Sequence, residues 1–204
     1  MRDTVIIIGS GLMGSGIAAC SALAGNKTVL VDINPDQLDR GLAAAKANIG
    51  ELLANGLADE AGAMKARELI SVSSGYEAYS RSASMVIEAV VENLEVKQKL
   101  FARLDQVFPP EVHLLSNTSG LRITDIALLT EHPERTVTTH FWFPGHLVPL
   151  VEVVVGDRTD IEIASAVRDT LKSWGKAAVL VKRDLPGQLA NRILQAVIRE
   201  AVNI

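Results

Sequence analysis

The stretch that most constrains this chain is near its start, where Val5-Ile6-Ile7-Ile8 runs directly into Gly9-Ser10-Gly11-Leu12-Met13-Gly14-Ser15-Gly16-Ile17-Ala18. An apolar, β-branched run of this kind reads as a fully buried strand. The Ala-rich segment from Leu12 to Ala24 reads as a helix. The glycines at 9, 11 and 14 fit G-x-G-x-x-G, and each has its own task. Gly9 makes the tight turn, Gly11 lets the backbone approach a pyrophosphate, and Gly14 lets helix and strand pack closely. The free N–H groups and dipole at the helix start favour an anion. A second strand, Thr28-Val29-Leu30-Val31, delivers Asp32 about 20 residues on, where a carboxylate suits a ribose diol. Strand, turn, helix, strand and acid together point to a bound dinucleotide. The plainer alternative is a helix packed tightly on a strand with no ligand.

The rest of the chain continues the alternation. Asn34-Pro35 caps and starts a helix over 35–54, closed by Asn55-Gly56. A weaker helix covers 59–68, and strands follow at 70–73 and 84–90. An amphipathic helix spans 94–107 and stops at Pro109-Pro110. A short strand at 112–115 delivers Ser116-Asn117-Thr118-Ser119-Gly120 to a strand end, where open α/β sheets place their ligands. A short helix at 124–129, strands at 136–141 and 148–155, a helix at 161–174 and a strand at 177–181 come next. The expected architecture is α/β: a doubly wound, mostly parallel sheet. The link from His140 to Val148 is too short for a parallel crossover, so an antiparallel extension is expected there. Pro186-Gly187 then breaks the chain before a final helix from Gln188 to the end.

That last helix places Leu189, Ile193, Leu194, Val197 and Ile198 among little polar surface and has no closing cap. It is expected either to belong to an incomplete protein or to pack against another chain. The break at Pro186-Gly187 sets residues 1–185, which carry the dinucleotide fingerprint, apart from residues 186–204.

For chemistry, His140 and Glu152 stand out. The intervening Phe141-Trp142-Phe143-Pro144-Gly145-His146-Leu147-Val148-Pro149 can fold back and set one strand beside the other. A Glu within Leu150-Val151-Glu152-Val153-Val154-Val155 needs a partner if it points inward. A histidine oriented by a carboxylate suits a general base; a buried structural contact is the competing reading. Ser119 lacks a nucleophile elbow and reads either as a donor to substrate or as a helix N-cap. No Cys/His cluster has metal-ligand spacing, and no metal is expected. His113, His132 and His146 carry no comparable signal.

Composition excludes several classes. The net charge of −4, with no long run of one sign, gives no sign of nucleic-acid or anionic-membrane binding. No uncharged apolar run reaches about 18 residues, so no membrane span is expected. The single Cys20 fits a reducing, cytoplasmic setting, and with a strand opening the sequence no signal peptide is expected.

Taken in order, Gly9 to Gly14 with Asp32, Glu88-Ala89-Val90-Val91-Glu92 with Lys97, Ser116-Asn117-Thr118-Ser119, His140-Phe141, Pro149 to Val154, and Pro186-Gly187 with Asn191-Arg192 resemble the L-3-hydroxyacyl-CoA dehydrogenases over essentially the whole chain. The resemblance implies a Rossmann-type NAD-binding domain followed by an all-helical domain that completes the substrate pocket and a homodimer. It implies His140 as the base for the 3-hydroxyl, Glu152 as its holder, and Ser119 and Asn191 on the reacting oxygens. Gly9, Gly11, Leu12, Met13, Gly14, Asp32, Glu92, Lys97, Asn117 and Ser119 would line the NAD, and Asp32 with no Arg close behind it favours NAD over NADP. The implied reaction is oxidation of an L-3-hydroxyacyl-CoA in fatty acid metabolism. Four positions depart from the family. Phe143 stands where an Asn usually meets the cofactor, Gln188 replaces an aromatic, and Asn48 and Asn55 fall where Ser and Lys usually bind coenzyme A. A lost Lys removes a phosphate partner. These departures leave room for a small free hydroxy acid or alcohol, as in relatives resembling gulonate or carnitine dehydrogenases and lambda-crystallin. They also leave room for a fold that keeps NAD without the reaction.

Overall fold

The computed structural model describes residues 3–204. Eight strands form one sheet: β1 (Thr4–Ile8), β2 (Lys27–Val31), β3 (Ile70–Ser73), β4 (Ala83–Glu88), β5 (His113–Ser116), β6 (Thr136–Phe141), β7 (Leu150–Val154) and β8 (Ala177–Val181). Their spatial order is β3-β2-β1-β4-β5-β6-β7-β8. All neighbours run parallel except β6 and β7, which are antiparallel in the register Thr138↔Val154, His140↔Glu152 and Phe141↔Val151. The expected antiparallel extension is therefore present. The order reverses between β1 and β4, and the crevice beyond that switch point is where a dinucleotide lies in such sheets.

Among the described residues seven α-helices flank the sheet: α1 (Leu12–Leu23), α2 (Pro35–Ala54), α3 (Glu60–Glu68), α4 (Leu94–Val107), α5 (Ile123–Ile126), α6 (Ile161–Ser173) and, after the last strand, α7 (Leu189–Asn203). The sequence reading and the structure differ by a residue or two at most ends. One such shift is at β4, which stops at Glu88 rather than Val90. There the Glu88 carboxylate accepts the Val90 N–H at 2.7 Å and turns the backbone out of the ladder. Asn34 caps α2 by accepting the N–H groups of Asp36 and Gln37, as expected.

Helices on both faces divide the core in two. Val5 and Ile7 of β1 enter one layer with Ile17, Leu30, Ile49, Val167 and Leu171. Ile6 and Ile8 enter the other with Phe101, Leu104, Phe108 and Ile126. A strand buried on both faces needs the unbroken apolar run that opens the chain, and each such side chain contributes about 1.5–3 kcal/mol. By contrast, α7 buries no residue of its own, and Leu189, Ile193, Val197 and Val202 are all at least half exposed. No helix among the described residues is long and apolar enough to cross a membrane.

One polar device locks the second layer. Arg135, fully buried, donates to Asp105 Oδ1 at 2.5 Å and to the backbone carbonyls of Asp105, Phe108, Pro109 and Val112. Burial pushes the Asp105 carboxyl up, but the bonds from Arg135 and from the N–H groups of His132 and Glu131 outweigh it and hold it below the usual carboxylate range. A depressed carboxyl adds stability above its unfolded value, near pH 3.9, and loses it as pH falls through the folded value. Asp105→Ala strands the guanidinium, and such a break costs about 3–5 kcal/mol. Urea unfolding at pH 7 is expected to show that loss, and the gap between variant and wild type should shrink as the pH is lowered below about 4.

Candidate active site

Two features share the carboxyl edge of the sheet. The first is the glycine turn. Gly9 has φ +98°, and a Cβ there would lie 2.4 Å from the Ala89 carbonyl oxygen, so the turn after β1 abuts the chain leaving β4. A Cβ on Gly14 would lie 1.8 Å from the Gly9 carbonyl oxygen. A Cβ on Gly11 would meet no protein atom within 4 Å. Gly9 and Gly14 are thus required by the protein itself, whereas Gly11 keeps a space clear that the protein does not fill. Gly11 is the N-cap of α1, with no side-chain cap and no acid in the first turn. Its free N–H groups can therefore receive an anion.

Beside this turn lies a groove of about 550 Å³ lined by Gly9, Gly11, Asp32, Ile33, Ala89 and Val91 among others. Ile33 and Val91 are strongly exposed. Asp32 Oδ2 accepts from the Ser10 N–H and hydroxyl, both at 3.0 Å, and Oδ1 accepts from the Asn34 N–H at 3.1 Å. Burial raises the Asp32 carboxyl, but these bonds prevail and hold it low. The carboxylate thus fixes the turn and keeps acceptor capacity toward the groove. Leu12 is exposed at the helix start and Met13 is half-buried behind it. Apolar walls, a fixed acid and an open helix N-terminus fit the base, ribose and pyrophosphate of a dinucleotide.

The second feature is the dyad. The antiparallel register sets His140 opposite Glu152, and His140 Nδ1 lies 2.8 Å from Glu152 Oε2. The Trp142 indole N–H donates to the same oxygen at 3.2 Å, and the Ala190 N–H donates to Oε1 at 2.9 Å. Burial pushes the Glu152 carboxyl up, but the bonds from His140, Ala190 and Trp142 outweigh it and keep it below the usual range. Nε2 of His140 carries no hydrogen bond among the described residues. The Asn191 amide donates to the Ser119 carbonyl oxygen at 3.2 Å, which joins the start of α7 to the turn after β5. The Ser119 side chain is exposed and caps no helix; α5 begins after Arg122, and Thr118 Oγ1 takes the Leu121 N–H. Asn117 Oδ1 accepts the Phe141 N–H at 2.9 Å and ties that turn to β6 beside His140.

A family model described as the 3-hydroxyacyl-CoA dehydrogenase NAD binding domain matches residues 4–185. The chain belongs to this family. It is 38% identical over 198 residues to a probable 3-hydroxybutyryl-CoA dehydrogenase of Bacillus subtilis, covering 97% of this chain and 68% of that one. It is 33% identical over 205 residues to the 5-formyl-3-hydroxy-2-methylpyridine 4-carboxylate 5-dehydrogenase of Mesorhizobium japonicum, covering 100% and 65%. The crystal structure of 3-hydroxybutyryl-CoA dehydrogenase from Escherichia coli K12 superimposes with a TM-score of 0.92 at 35% identity, covering 98% of this chain and 42% of that one. The chain therefore spans about two-fifths to two-thirds of the length of these relatives. As an NAD-binding domain of the 3-hydroxyacyl-CoA dehydrogenase family, it takes NAD as its cofactor.

Within this dehydrogenase domain, Glu92 and Lys97 occupy different ground. Lys97 is fully buried, 2.5 Å from Glu88 Oε1 and 3.3 Å from Glu92 Oε2. Glu92 Oε1 accepts from the Thr118 hydroxyl and from the N–H groups of Ser119 and Gly120. Burial raises the Glu92 carboxyl, but Thr118, Lys97 and Gly120 bring it below the usual range. Lys97 thus stands behind the acids rather than at the surface of the cleft. Three groups have no role in the sequence reading: Glu88, named there only as part of a motif, which also takes the Ser116 hydroxyl; Gly41, where a Cβ would lie 2.5 Å from the Ser10 carbonyl oxygen; and the Ala190 N–H. A Glu closing an apolar strand and a Gly inside a helix were the available signals for the first two.

The glycines separate ligand from fold. Gly14→Ala overpacks backbone against backbone and should lose about 1–3 kcal/mol or more in thermal unfolding. Gly11→Val should unfold like wild type while NAD binding, followed by calorimetry, is largely abolished.

Proposed function

We propose that this chain supplies the cofactor half and the base for NAD-dependent oxidation of an L-3-hydroxyacyl-CoA to the 3-ketoacyl-CoA. The observation that carries the reading is the 2.8 Å contact between His140 Nδ1 and Glu152 Oε2 on the sheet edge that also holds the glycine turn. Bound NAD supplies the hydride acceptor. Gly9, Gly11, Leu12, Met13 and Gly14 form the turn that receives its pyrophosphate, and Asp32 takes the adenosine ribose. Glu92, Asn117 and Ser119 lie further along it, with Lys97 acting through Glu92.

With Glu152 accepting the Nδ1–H, His140 presents the Nε2 lone pair and takes the 3-hydroxyl proton there. The ionised Glu152 stabilises the imidazolium that results. The Ser119 hydroxyl and Asn191 amide bind the reacting oxygens. The division at 185/186 belongs to the same proposal: α7 opens the helical, substrate-binding region, and its bare apolar face is the side on which that region and a homodimer partner assemble.

A second reading has its own support. The Mesorhizobium relative, matched over the whole chain, is named for a pyridine carboxylate without coenzyme A. Asn48 and Asn55, on α2 and at its C-terminal end, supply no cation for a coenzyme phosphate. A small free hydroxy acid is the substrate on that reading.

Steady-state assays with 3-hydroxybutyryl-CoA and with free 3-hydroxy acids separate the two. Turnover of the thioester supports the first, and turnover of free acids alone supports the second. His140→Ala should lower kcat about 10²- to 10⁴-fold, the usual worth of a positioned base, with NAD affinity unchanged. A variant with wild-type kcat removes His140 from the chemistry.

A further inference from the structure

The connection between β6 and β7, residues 142–149, is too long to be a tight hairpin, yet it keeps His140 opposite Glu152. Its course converges on one side chain. Lys176, the residue before β8, is buried, and its ammonium donates to the carbonyl oxygens of Gly145 at 2.7 Å, Val148 at 3.1 Å and His146 at 3.4 Å. An ammonium has three N–H groups, so the cage uses all of them, and none of the three partners is a carboxylate. Nζ also stands 6.0 Å from the ring centroid of Phe141, the residue after His140. The next residue, Ala177, donates its N–H to the Pro149 carbonyl at 2.8 Å and pins the far end of the connection. Its near end carries Trp142, whose indole N–H reaches Glu152.

Carbonyl oxygens gathered around one point repel each other, and a buried cation at that point turns the arrangement favourable. α1 backs the same connection without supplying charge. Gly16 sits close under Gly145 and His146, and the Cys20 thiol lies 3.5 Å from the Gly145 carbonyl oxygen.

We propose that Lys176 is a positioning residue for the His140–Glu152 dyad: by drawing together the carbonyls of Gly145, His146 and Val148, it sets the course of the connection and so the register of imidazole against carboxylate. It touches neither substrate nor cofactor and moves no proton. The inference rests on the dyad acting as the base, and its test includes a readout that does not require turnover.

Lys176→Met in the full chain removes the charge and all three donors at nearly constant length. NAD affinity and the substrate KM should stay close to wild type while kcat falls about 10- to 100-fold, the split expected when reacting groups are displaced rather than lost. Hydrogen exchange of the Trp142 indole N–H, followed by NMR, should quicken about tenfold or more as the connection loosens. Lys176→Arg, which keeps a charge and donors, should recover part of both. Wild-type kcat together with wild-type indole exchange in folded Lys176→Met overturns the proposal. If the wild type turns over no hydroxy substrate, the proposed reaction fails while the exchange measurement still decides the positioning. Should Lys176→Met not fold, Lys176→Gln, with two donors and no charge, is read by the same two signals, and wild-type values again overturn it.

Discussion

A buried carboxylate with too few partners costs several kcal/mol, and Glu152 sits in the middle of an apolar strand at 1% exposure. The fold resolves this by bringing three donors to it from three places. His140 comes from the neighbouring strand, Trp142 from the connection beyond it, and the Ala190 N–H from the first turn of α7. One side chain therefore joins β6, β7 and the C-terminal helix. The antiparallel step in an otherwise parallel sheet makes this possible, because only there do two residues twelve apart in sequence stand side by side on adjacent strands.

The nucleotide side of the edge obeys a different constraint, close packing rather than charge. The turn after β1 fits only because Gly9 and Gly14 have no Cβ, and Gly41 of α2 clears the space for Ser10. Asp32 then ties Ser10 in place through two hydrogen bonds. Between this turn and the dyad runs a relay of polar groups, of which Glu88 and Lys97 are fully buried. Glu88 ends β4, Lys97 bridges Glu88 to Glu92, and Glu92 holds the turn at 118–120 against which Asn191 docks. Both halves of the site are thus braced by acids, and at Asp32, Glu92 and Glu152 the bonding holds the carboxyl below its usual range.

Much of this was legible in the order of residues, where the signal is local. The unbroken apolar run of β1, the Asn34-Pro35 start of α2 and the limits of β6 follow from burial and capping alone. The antiparallel pair followed from the length of one connection, and the His140–Glu152 pairing from an acid that an apolar strand cannot leave unpartnered. What stayed hidden is long-range. The need for Gly41 depends on a backbone carbonyl about thirty residues away, and inside a helix a glycine otherwise registers only as a cost of about 1 kcal/mol. Lys176 reads as one more surface cation until three carbonyls of a distant connection close around it. The Ala190 N–H leaves no trace in the sequence, since every residue but proline carries one. Lys97, placed beside the cofactor by its motif, proves to be buried behind the two glutamates.

On this reading Glu152 fixes the imidazole of His140 with the proton on Nδ1 and the lone pair of Nε2 free for substrate. Nitrogen-15 NMR of the neutral His140 side chain tests it directly, because the two ring nitrogens report the tautomer separately. A protonated Nδ1 and an unprotonated Nε2 are expected in the wild type, with that preference weakened in Glu152→Gln. A neutral His140 that carries its proton on Nε2 in the wild type would contradict it.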